Sequence, residues 1–137
     1  MAYATLFQML DQDPSLANTP NGFGWYPLHC CANGKKKEFV KTAMLNLLVN
    51  MKADVEAERG KNGQRPLMVA ANTGSLKLCE ALILNGADAT ARNNEGTSVH
   101  DAARSNKIVQ EALHQAGARK GEGTTSEGRL LFLYTFF

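Results

Sequence analysis

The sequence predicts an all-α solenoid of about three repeated helix pairs, preceded by a capping helix at the N-terminal end. One segment occurs three times, as PLHCCANG at 27–34, PLMVAANTG at 66–74 and SVHDAARS at 98–105. A second series closes a helical stretch in each copy, as KAD at 52–54, GAD at 86–88 and GA at 117–118. In the first series Leu28, Leu67 and Val99 lie 39 and 32 residues apart, which brackets the period of about 33 residues known for one type of stacked helical repeat. The second series recurs about one such period apart.

Each repeated unit is predicted to form two short helices. Pro27 and Pro66 stand where the first helix begins, because a proline at the first helical position gives up an N–H that has no partner there. The second helix carries apolar residues at helical spacing, which are Leu78, Leu82 and Ile83 in the middle copy and Ile108, Ala112 and Leu113 in the third. Such a short pair cannot bury its apolar face alone, so stacking on neighbours must make the core.

The composition is that of a single soluble globular domain. The 137 residues are 44% hydrophobic and 20% charged, with a net charge of +2, which is too small to indicate a nucleic-acid partner. The longest apolar run, Leu130 to Phe137, covers eight residues, whereas a transmembrane helix needs about 20. We therefore expect neither a nucleic-acid partner nor a transmembrane segment.

Cysteine usage and the N-terminal residues suggest a reducing compartment. The chain has three cysteines, Cys30, Cys31 and Cys79, and an odd number with two of them adjacent does not form a disulfide framework. The first residues lack the basic region of a secretory signal. We expect an intracellular protein, in the cytoplasm or the nucleus.

These repeated residues resemble the ankyrin-repeat family, whose pattern runs G-x-T-P-L-H-x-A-A, a glycine turn, and a Leu-rich helix ending in G-A-D. The middle copy matches from Gly63 to Arg92, whereas the first carries about five extra residues around Lys35–Lys37 and the third has Ser98 in place of the proline. The resemblance implies a domain at 1–118, with a capping half-repeat at 1–24 and repeats at 25–58, 59–91 and 92–118, followed by a flexible linker at 119–129 and an apolar segment at 130–137.

The departures from this pattern give further expectations. A hydroxyl normally caps the first helix, and only Thr97 keeps one, since Tyr26 and Arg65 occupy that position in the other copies. Losing such a cap costs about 1 kcal/mol; either neighbouring repeats tolerate the loss, or Tyr26 and Arg65 contact a partner. Lys52 replaces the glycine of G-A-D, so we expect the preceding helix to end differently.

No pattern indicates catalysis. His29 lies beside Cys30 and Cys31, which raises the hypothesis of a cysteine nucleophile with a histidine base. Adjacent helical residues point in different directions, however, and the family resemblance gives the histidine a hydrogen-bonding role between repeats. Cys31 aligns with core alanines, at Ala70 and Ala102. Paired Cys or His spacings for zinc and a phosphate-binding glycine loop are both absent. We therefore expect no enzyme activity, no cofactor and no metal.

The resemblance instead implies a protein-protein interaction module, an adaptor or scaffold that binds another protein through loop tips and the exposed side of the first helices. Carried over by position, the contact residues are Trp25, Tyr26, Cys30 and Asn33 in the first copy, Lys61, Gln64, Arg65, Val69 and Asn72 in the second, and Asn94, Glu95, Asp101 and Arg104 in the third. Trp25 is the strongest candidate because tryptophan is enriched at interface hot spots; the alternative is packing against the adjacent loop. The Lys35–Lys37 run is a solvated loop or a contact for an acidic partner or a phosphate.

The apolar segment at 130–137 needs a cover, since an exposed segment of this type aggregates. It either folds back over the last repeat, or docks on another subunit or on the sheet edge of another protein, or inserts into a membrane surface. One covering surface reaches only alternate residues of an extended strand, so we expect contacts outside its own chain, centred on Leu131, Leu133 and Phe136. The alternative function is therefore a structural subunit of a larger complex, held by this segment.

Overall fold

The computed structural model describes residues 2–104 and 106–121. Over these ranges the chain forms seven α-helices and one 3₁₀ helix, and β-type pairing is limited to two isolated bridges. The all-α prediction is therefore confirmed. The helices are α1 at Ala2–Gln12, a 3₁₀ helix at Pro14–Asn18, α2 at Pro27–Asn33, α3 at Glu38–Asn50, α4 at Pro66–Thr73, α5 at Leu76–Leu84, α6 at Val99–Ala102 and α7 at Lys107–Gly121.

The helices pack in two layers. An inner layer consists of α2, α4 and α6, each packed on the next, and an outer layer consists of α1, α3, α5 and α7 in the same order. Inner and outer helices pair as α2 with α3, α4 with α5 and α6 with α7. The stack thus has three helix pairs, with α1 as an additional outer helix before them.

Equivalent residues of successive repeats fill the space between the layers. The inner-layer residues Leu28, Leu67 and Val99, and the outer-layer residues Leu48, Leu82 and Leu113, are each at most 2% exposed. Burial of a side chain of this size stabilises the fold by about 1.5–3 kcal/mol. The repeating positions that defined the sequence pattern are therefore the core of the solenoid.

The inner helices begin in two different ways. Tyr26 and Arg65 precede α2 and α4 without a side-chain cap, as the sequence predicts. The expectation that Thr97 caps the third is wrong, because the cap of α6 is Ser98. The Ser98 hydroxyl accepts the Asp101 N–H at 3.0 Å, and the Asp101 carboxylate accepts the Ser98 N–H at 3.3 Å. The start of α6 is thus fixed by a reciprocal capping pair, and the helix has only four residues.

The last outer helix differs from its prediction in phase and in length. Ile108 is 69% exposed, whereas Val109 is fully buried, so the expectation that Ile108 faces the core is wrong. Asn106 sets this phase because its side-chain oxygen accepts the Val109 N–H at 3.1 Å. The helix continues to Gly121, so residues 119–121 of the predicted linker are helical. Segment 130–137, with Leu131, Leu133 and Phe136, lies outside the described residues.

The extra residues of the first repeat lengthen its outer helix as well as its turn. The helix α3 has 13 residues whereas α5 has nine. The connection before α3 spans 34–37, and the one before α5 spans only 74–75.

No helix in the part of the chain that the structure describes has an apolar stretch long enough to cross a membrane.

The outer helices α3 and α5 end in the same way, contrary to the expectation for Lys52. The Ala53 N–H donates to the Leu48 carbonyl at 2.9 Å, and the equivalent Ala87 N–H donates to the Leu82 carbonyl at 3.0 Å. This bond requires a left-handed residue one position earlier. Gly86 meets the requirement with φ 99°, and Lys52 adopts the same conformation with φ 69°. Lys52 therefore keeps the helix end at the cost of backbone strain.

We predict that Lys52→Gly stabilises the chain by about 0.5–1 kcal/mol, because relief of the left-handed strain exceeds the added flexibility of glycine in the unfolded chain. The free energy of unfolding in urea measures this change. Lys52→Ala is the matched control, since it removes the charged side chain but keeps Cβ, and it should leave stability nearly unchanged. Equal stabilisation by both variants would show that the side chain, not the backbone, is responsible.

Candidate functional site

Three hairpin-like loops connect each outer helix, or the 3₁₀ helix, to the next inner helix. We name them hairpin 1 (residues 19–26), hairpin 2 (residues 51–65) and hairpin 3 (residues 85–98). An isolated β-bridge joins Arg59 to Gln64 in hairpin 2, and another joins Arg92 to Ser98 in hairpin 3. Most of the predicted contact residues lie on these hairpins, and the others lie on or just after the inner helices.

The tips of hairpins 1 and 3 are held by the same asparagine geometry. The Asn21 side-chain oxygen accepts the N–H groups of Phe23 and Trp25 at 2.9 and 3.0 Å. In hairpin 3, Asn93 accepts the N–H groups of Glu95 and Thr97 at the same two distances. Since these bonds occupy the backbone of the tip, the side chains between them are left to face outward.

Hydrogen bonds also fasten hairpin 2 to the 3₁₀ helix before hairpin 1 and to hairpin 3. Asn18, at the end of the 3₁₀ helix before hairpin 1, donates to the Lys52 carbonyl at 2.8 Å and accepts the Asp54 N–H at 2.7 Å. Hairpins 2 and 3 are joined where the Asn94 N–H donates to the Asn62 carbonyl at 2.8 Å. The three hairpins therefore form one connected surface.

His29 anchors hairpin 2 to the inner layer. Its side chain is fully buried, and its Nε2 lies 2.7 Å from the Gln64 carbonyl oxygen, so Nε2 carries the hydrogen and donates. This is the inter-repeat role that the family resemblance gives to the histidine. The second repeat has Met68 at this position, 1% exposed, which has no N–H to offer to hairpin 3.

Burial also changes the acid–base behaviour of His29. Desolvation lowers the pKa of the imidazole, and the nearby Arg59 charge lowers it further, against the opposing hydrogen bond to Gln64. The other ring nitrogen, Nδ1, is buried without a hydrogen-bond partner. The protein therefore favours the neutral ring.

Trp25 packs against hairpin 2, the alternative that the sequence left open. The Arg59 guanidinium carbon lies 3.9 Å from the centre of the indole ring, a cation–π contact. The His29 ring meets the indole edge-on at 6.3 Å. The indole is half-buried, so part of its surface already serves the fold.

Arg65 and Gln64 are held within hairpin 2 as well. The Arg65 guanidinium pairs with Glu56 at 2.7 Å and with Glu58 at 3.4 Å. Glu56 also accepts the Asp88 N–H at 3.2 Å. Burial raises the pKa of the Glu56 carboxyl above its usual value, although these hydrogen bonds and the Arg65 charge oppose the rise. The Gln64 side chain accepts a hydrogen bond from Arg59 at 2.8 Å.

The remaining predicted contact residues differ in accessibility. Tyr26 is half-buried, with its ring 5.9 Å from that of His29. The side chains that reach solvent are Cys30, Asn33, Lys61, Asn72, Asn94, Glu95, Asp101 and Arg104. Val69 is 3% exposed, so its expected place on the surface is wrong; it lies in the middle inner helix, between α2 and α6. Asp101 has a structural role as part of the α6 cap.

Phe23 was missed by the sequence analysis. It stands between two glycines at the tip of hairpin 1 and is 86% exposed, whereas the equivalent residue of hairpin 3 is Glu95. Its signal in the sequence is an apolar ring within the turn NGFG, where a polar residue is normal. The structure makes it the most exposed of the large apolar side chains in the part of the chain that is described.

The cysteines are poorly placed for nucleophilic chemistry. The buried Cys31 thiol donates to the Lys41 carbonyl at 3.2 Å, and burial raises its pKa to about 11. Burial likewise raises the pKa of Cys79 to about 12. Both stay protonated at neutral pH, whereas the thiolate is the reactive form. Within 2–104 and 106–121, no three His, Cys, Asp or Glu side chains are grouped to hold a metal ion.

Comparison with known proteins places these features in a family. A family model for ankyrin repeats in three copies matches residues 2–93 and 41–124. The chain is 32% identical over 87 residues to Tyrosine-protein kinase Shark of Drosophila melanogaster, over 64% of this chain and 9% of that protein. It is 33% identical over 90 residues to Ankyrin repeat and SOCS box protein 11 of Danio rerio, over 66% of this chain and 28% of that protein. The chain thus spans less than a third of either relative.

We predict that His29→Met weakens the dependence of stability on pH. The pKa of His29 is lower in the folded protein than the unfolded value of about 6.5, so the unfolded chain binds more protons as the pH falls below that value. The wild type should therefore lose stability from about pH 6.5 downward, and the variant should lose less. Unfolding in urea at pH 7 and pH 5 measures the difference.

The exposed His100 supplies the control for this measurement. His100→Met should keep the pH dependence of the wild type. At pH 7 the His29→Met variant should be destabilised by about 1 kcal/mol through the lost hydrogen bond. An unchanged pH dependence in His29→Met would assign the effect to another group.

Proposed function

The chain belongs to the ankyrin-repeat family, whose repeats mediate binding to other proteins, and we propose that it acts as a non-catalytic adaptor or scaffold. It binds a protein partner through hairpins 1–3 and the exposed side of α2, α4 and α6. The fold is one that typically carries no catalytic activity. The activities named for the two longer relatives belong to those proteins, of which this chain matches only a part.

The observation that supports this proposal is the fixed geometry of the hairpins. Asn21 and Asn93 bind the tip backbones, and Asn94 ties hairpin 3 to hairpin 2. Side chains that face outward from a rigid backbone lose little conformational freedom on binding. Three adjacent tips then present Phe23, Lys61 and Glu95, an apolar, a basic and an acidic group.

The proposed contact residues are those predicted from the sequence that keep accessible surface, together with Phe23. They are Phe23, Trp25, Tyr26, Cys30, Asn33, Lys61, Gln64, Arg65, Asn72, Asn94, Glu95, Asp101 and Arg104. Within this set we assign the main apolar contact to Phe23, because it has far more surface left to bury than the half-buried Trp25. Arg65 contributes less than its residue type suggests, since two carboxylates already pair with it.

We further propose that the protein works in a reducing compartment of the cell, the cytoplasm or the nucleus. Cys30, Cys31 and Cys79 are all free thiols, which fits that environment. The alternative function, a structural subunit held by segment 130–137, stays a prediction, because that segment lies outside the described residues.

We predict that Phe23→Ala weakens partner binding by about 2 kcal/mol and Trp25→Ala by about 1 kcal/mol, in proportion to the apolar surface that each side chain still exposes. Cross-linking of the full chain in its source cells, followed by mass spectrometry, identifies the partner. Isothermal titration calorimetry with that purified partner then gives the affinity of each variant.

Phe39 provides the matched control for this experiment. It is 70% exposed, but it lies in the first turn of the outer helix α3, away from the hairpins. Phe39→Ala should bind as the wild type does. A loss with Phe39→Ala and none with Phe23→Ala would move the binding surface to the outer layer.

A further inference from the structure

Four asparagines of the chain are each followed by a glycine. The pairs are Asn21–Gly22, Asn33–Gly34, Asn62–Gly63 and Asn85–Gly86. Asparagine is a thermolabile residue, and a following glycine leaves its own amide nitrogen accessible because it has no Cβ. That nitrogen attacks the side-chain carbon of the asparagine, Cγ, wherever the side chain and the backbone between the two atoms are free to rotate. The fold therefore decides which of the four pairs reacts.

Hydrogen bonds hold the asparagine side chains of the pairs in hairpins 1 and 2. The Asn21 side-chain oxygen accepts the N–H groups of Phe23 and Trp25 at 2.9 and 3.0 Å. The Asn62 side-chain oxygen accepts the Gln64 N–H at 3.2 Å. A rotation that brings Cγ to the next backbone nitrogen would break these bonds. Both pairs are therefore held away from the reaction.

In the pair that follows α5, both reacting groups are held. The side-chain amide of Asn85 donates to the Ala81 carbonyl at 2.8 Å. The Gly86 N–H donates to the Ile83 carbonyl at 3.0 Å. The nitrogen that would attack and the amide that would leave are thus both engaged in hydrogen bonds.

The side chain of Asn33 has no such restraint. It is exposed, and in the part of the chain that the structure describes its amide has no hydrogen-bond partner. Asn33 is also the last residue of α2, and residues 34–37 after it are not helical. The helix α4 is closed by the left-handed Gly74, whose N–H donates to the Ala71 carbonyl at 3.1 Å. Gly34 is extended instead, with φ −67° and ψ 155°, so α2 lacks this closure, and helix ends fray.

We propose that Asn33 is a site of spontaneous deamidation, which the fold selects among the four pairs. The Gly34 amide nitrogen attacks Cγ of Asn33, and a five-membered succinimide ring forms. The side-chain NH₂ leaves with the proton of the attacking nitrogen as ammonia. Water then opens the ring at either carbonyl and gives aspartate or isoaspartate. The net reaction consumes water, releases ammonia and replaces a neutral amide by a carboxylate.

The new charge lies where it affects both the fold and the surface. The C-terminal end of a helix disfavours a negative charge because of the helix dipole, and Asn33 is the last residue of α2. Asn33 is also one of the proposed contact residues, so the reaction would make the partner surface more acidic with time. This consequence rests on the proposed function, whereas the reaction itself does not. A measurement without a partner therefore tests the site independently.

The test follows deamidation at each of the four asparagines in the full chain at pH 8 and 37 °C, by mass spectrometry of separate peptides. The same incubation in guanidinium chloride gives the rates in the unfolded chain. In the folded protein we expect Asn33 to react at least fivefold faster than Asn21, Asn62 or Asn85. In guanidinium chloride the four rates should become similar, because the hydrogen bonds that distinguish them are lost.

Gly34→Ala is the matched variant, because its methyl group shields the attacking nitrogen while the fold accommodates it. The φ of Gly34 is negative, and a Cβ at this position would lie 3.4 Å from the Cys30 carbonyl oxygen, an ordinary contact distance. This variant should deamidate at Asn33 at least tenfold more slowly, and circular dichroism verifies that it is folded. Gly86→Ala, which changes a different pair, should keep the wild-type rate at Asn33. An isoaspartyl methyltransferase should label the incubated wild type at residue 33.

Each measurement has a result that contradicts the proposal. If Asn33 in the folded chain reacts no faster than the other three asparagines, the fold does not select it. If its advantage is as large in guanidinium chloride, the local sequence is responsible and not the structure. A folded Gly34→Ala variant that deamidates at the wild-type rate would exclude attack by the Gly34 nitrogen.

Discussion

Every part of this structure depends on the stacking of helices that are too short to be stable alone. At 1.5 Å per residue, the seven residues of α2 span only about 10 Å, and isolated helices of this length are marginal in water. Stability comes instead from the contacts between neighbours within each layer and between the two layers. The middle pair, α4 and α5, has neighbours on both sides, which is why residues such as Val69 disappear from the surface.

Stacking brings successive hairpins close together, and their backbones must then find hydrogen-bond partners. The chain meets this need differently at its two junctions. His29 extends from the inner layer to the Gln64 carbonyl, so hairpin 2 is tied to the helix of the preceding repeat. Met68 has no N–H in its side chain and cannot do the same for hairpin 3. There the Asn94 backbone N–H donates to the Asn62 carbonyl, and the Asn94 side-chain amide donates to the Lys61 carbonyl. One link is buried and the other is exposed, yet each fixes a hairpin to the repeat before it.

The sequence predicts the layers well and the individual side chains less well. The repeat spacing, the prolines at helix starts and the buried leucines follow from periodicity, which is a property of the whole unit. Helix phase and helix ends depend on single side chains, so Asn106 and Ser98 shift α7 and α6 by about one residue from their expected positions. Lys52 shows the opposite case, where a residue that disfavours a left-handed conformation adopts it because the surrounding packing requires it.

In this fold, residue type alone does not distinguish side chains that bind a partner from side chains that hold the hairpins together. Tryptophan and arginine are enriched at hot spots because they make large contacts, and the same property suits them to hold hairpins together. Trp25 stacks on Arg59, and Arg65 is paired with two glutamates, so part of the contact surface of both side chains is already used within the fold. The sequence does not reveal these partners, since Arg59 lies 34 residues from Trp25.

What distinguishes the hairpin surface is therefore the chemistry left exposed on adjacent rigid tips. Hairpin 1 presents Phe23, hairpin 2 presents Lys61 and hairpin 3 presents Glu95. In the interface proposed above, a partner that buries Phe23 binds more favourably with an acidic group near Lys61 and a basic group near Glu95, because like charges opposite each other disfavour binding. In this proposal the apolar ring supplies the buried area, and the two charges of opposite sign select the direction in which the partner lies along the stack.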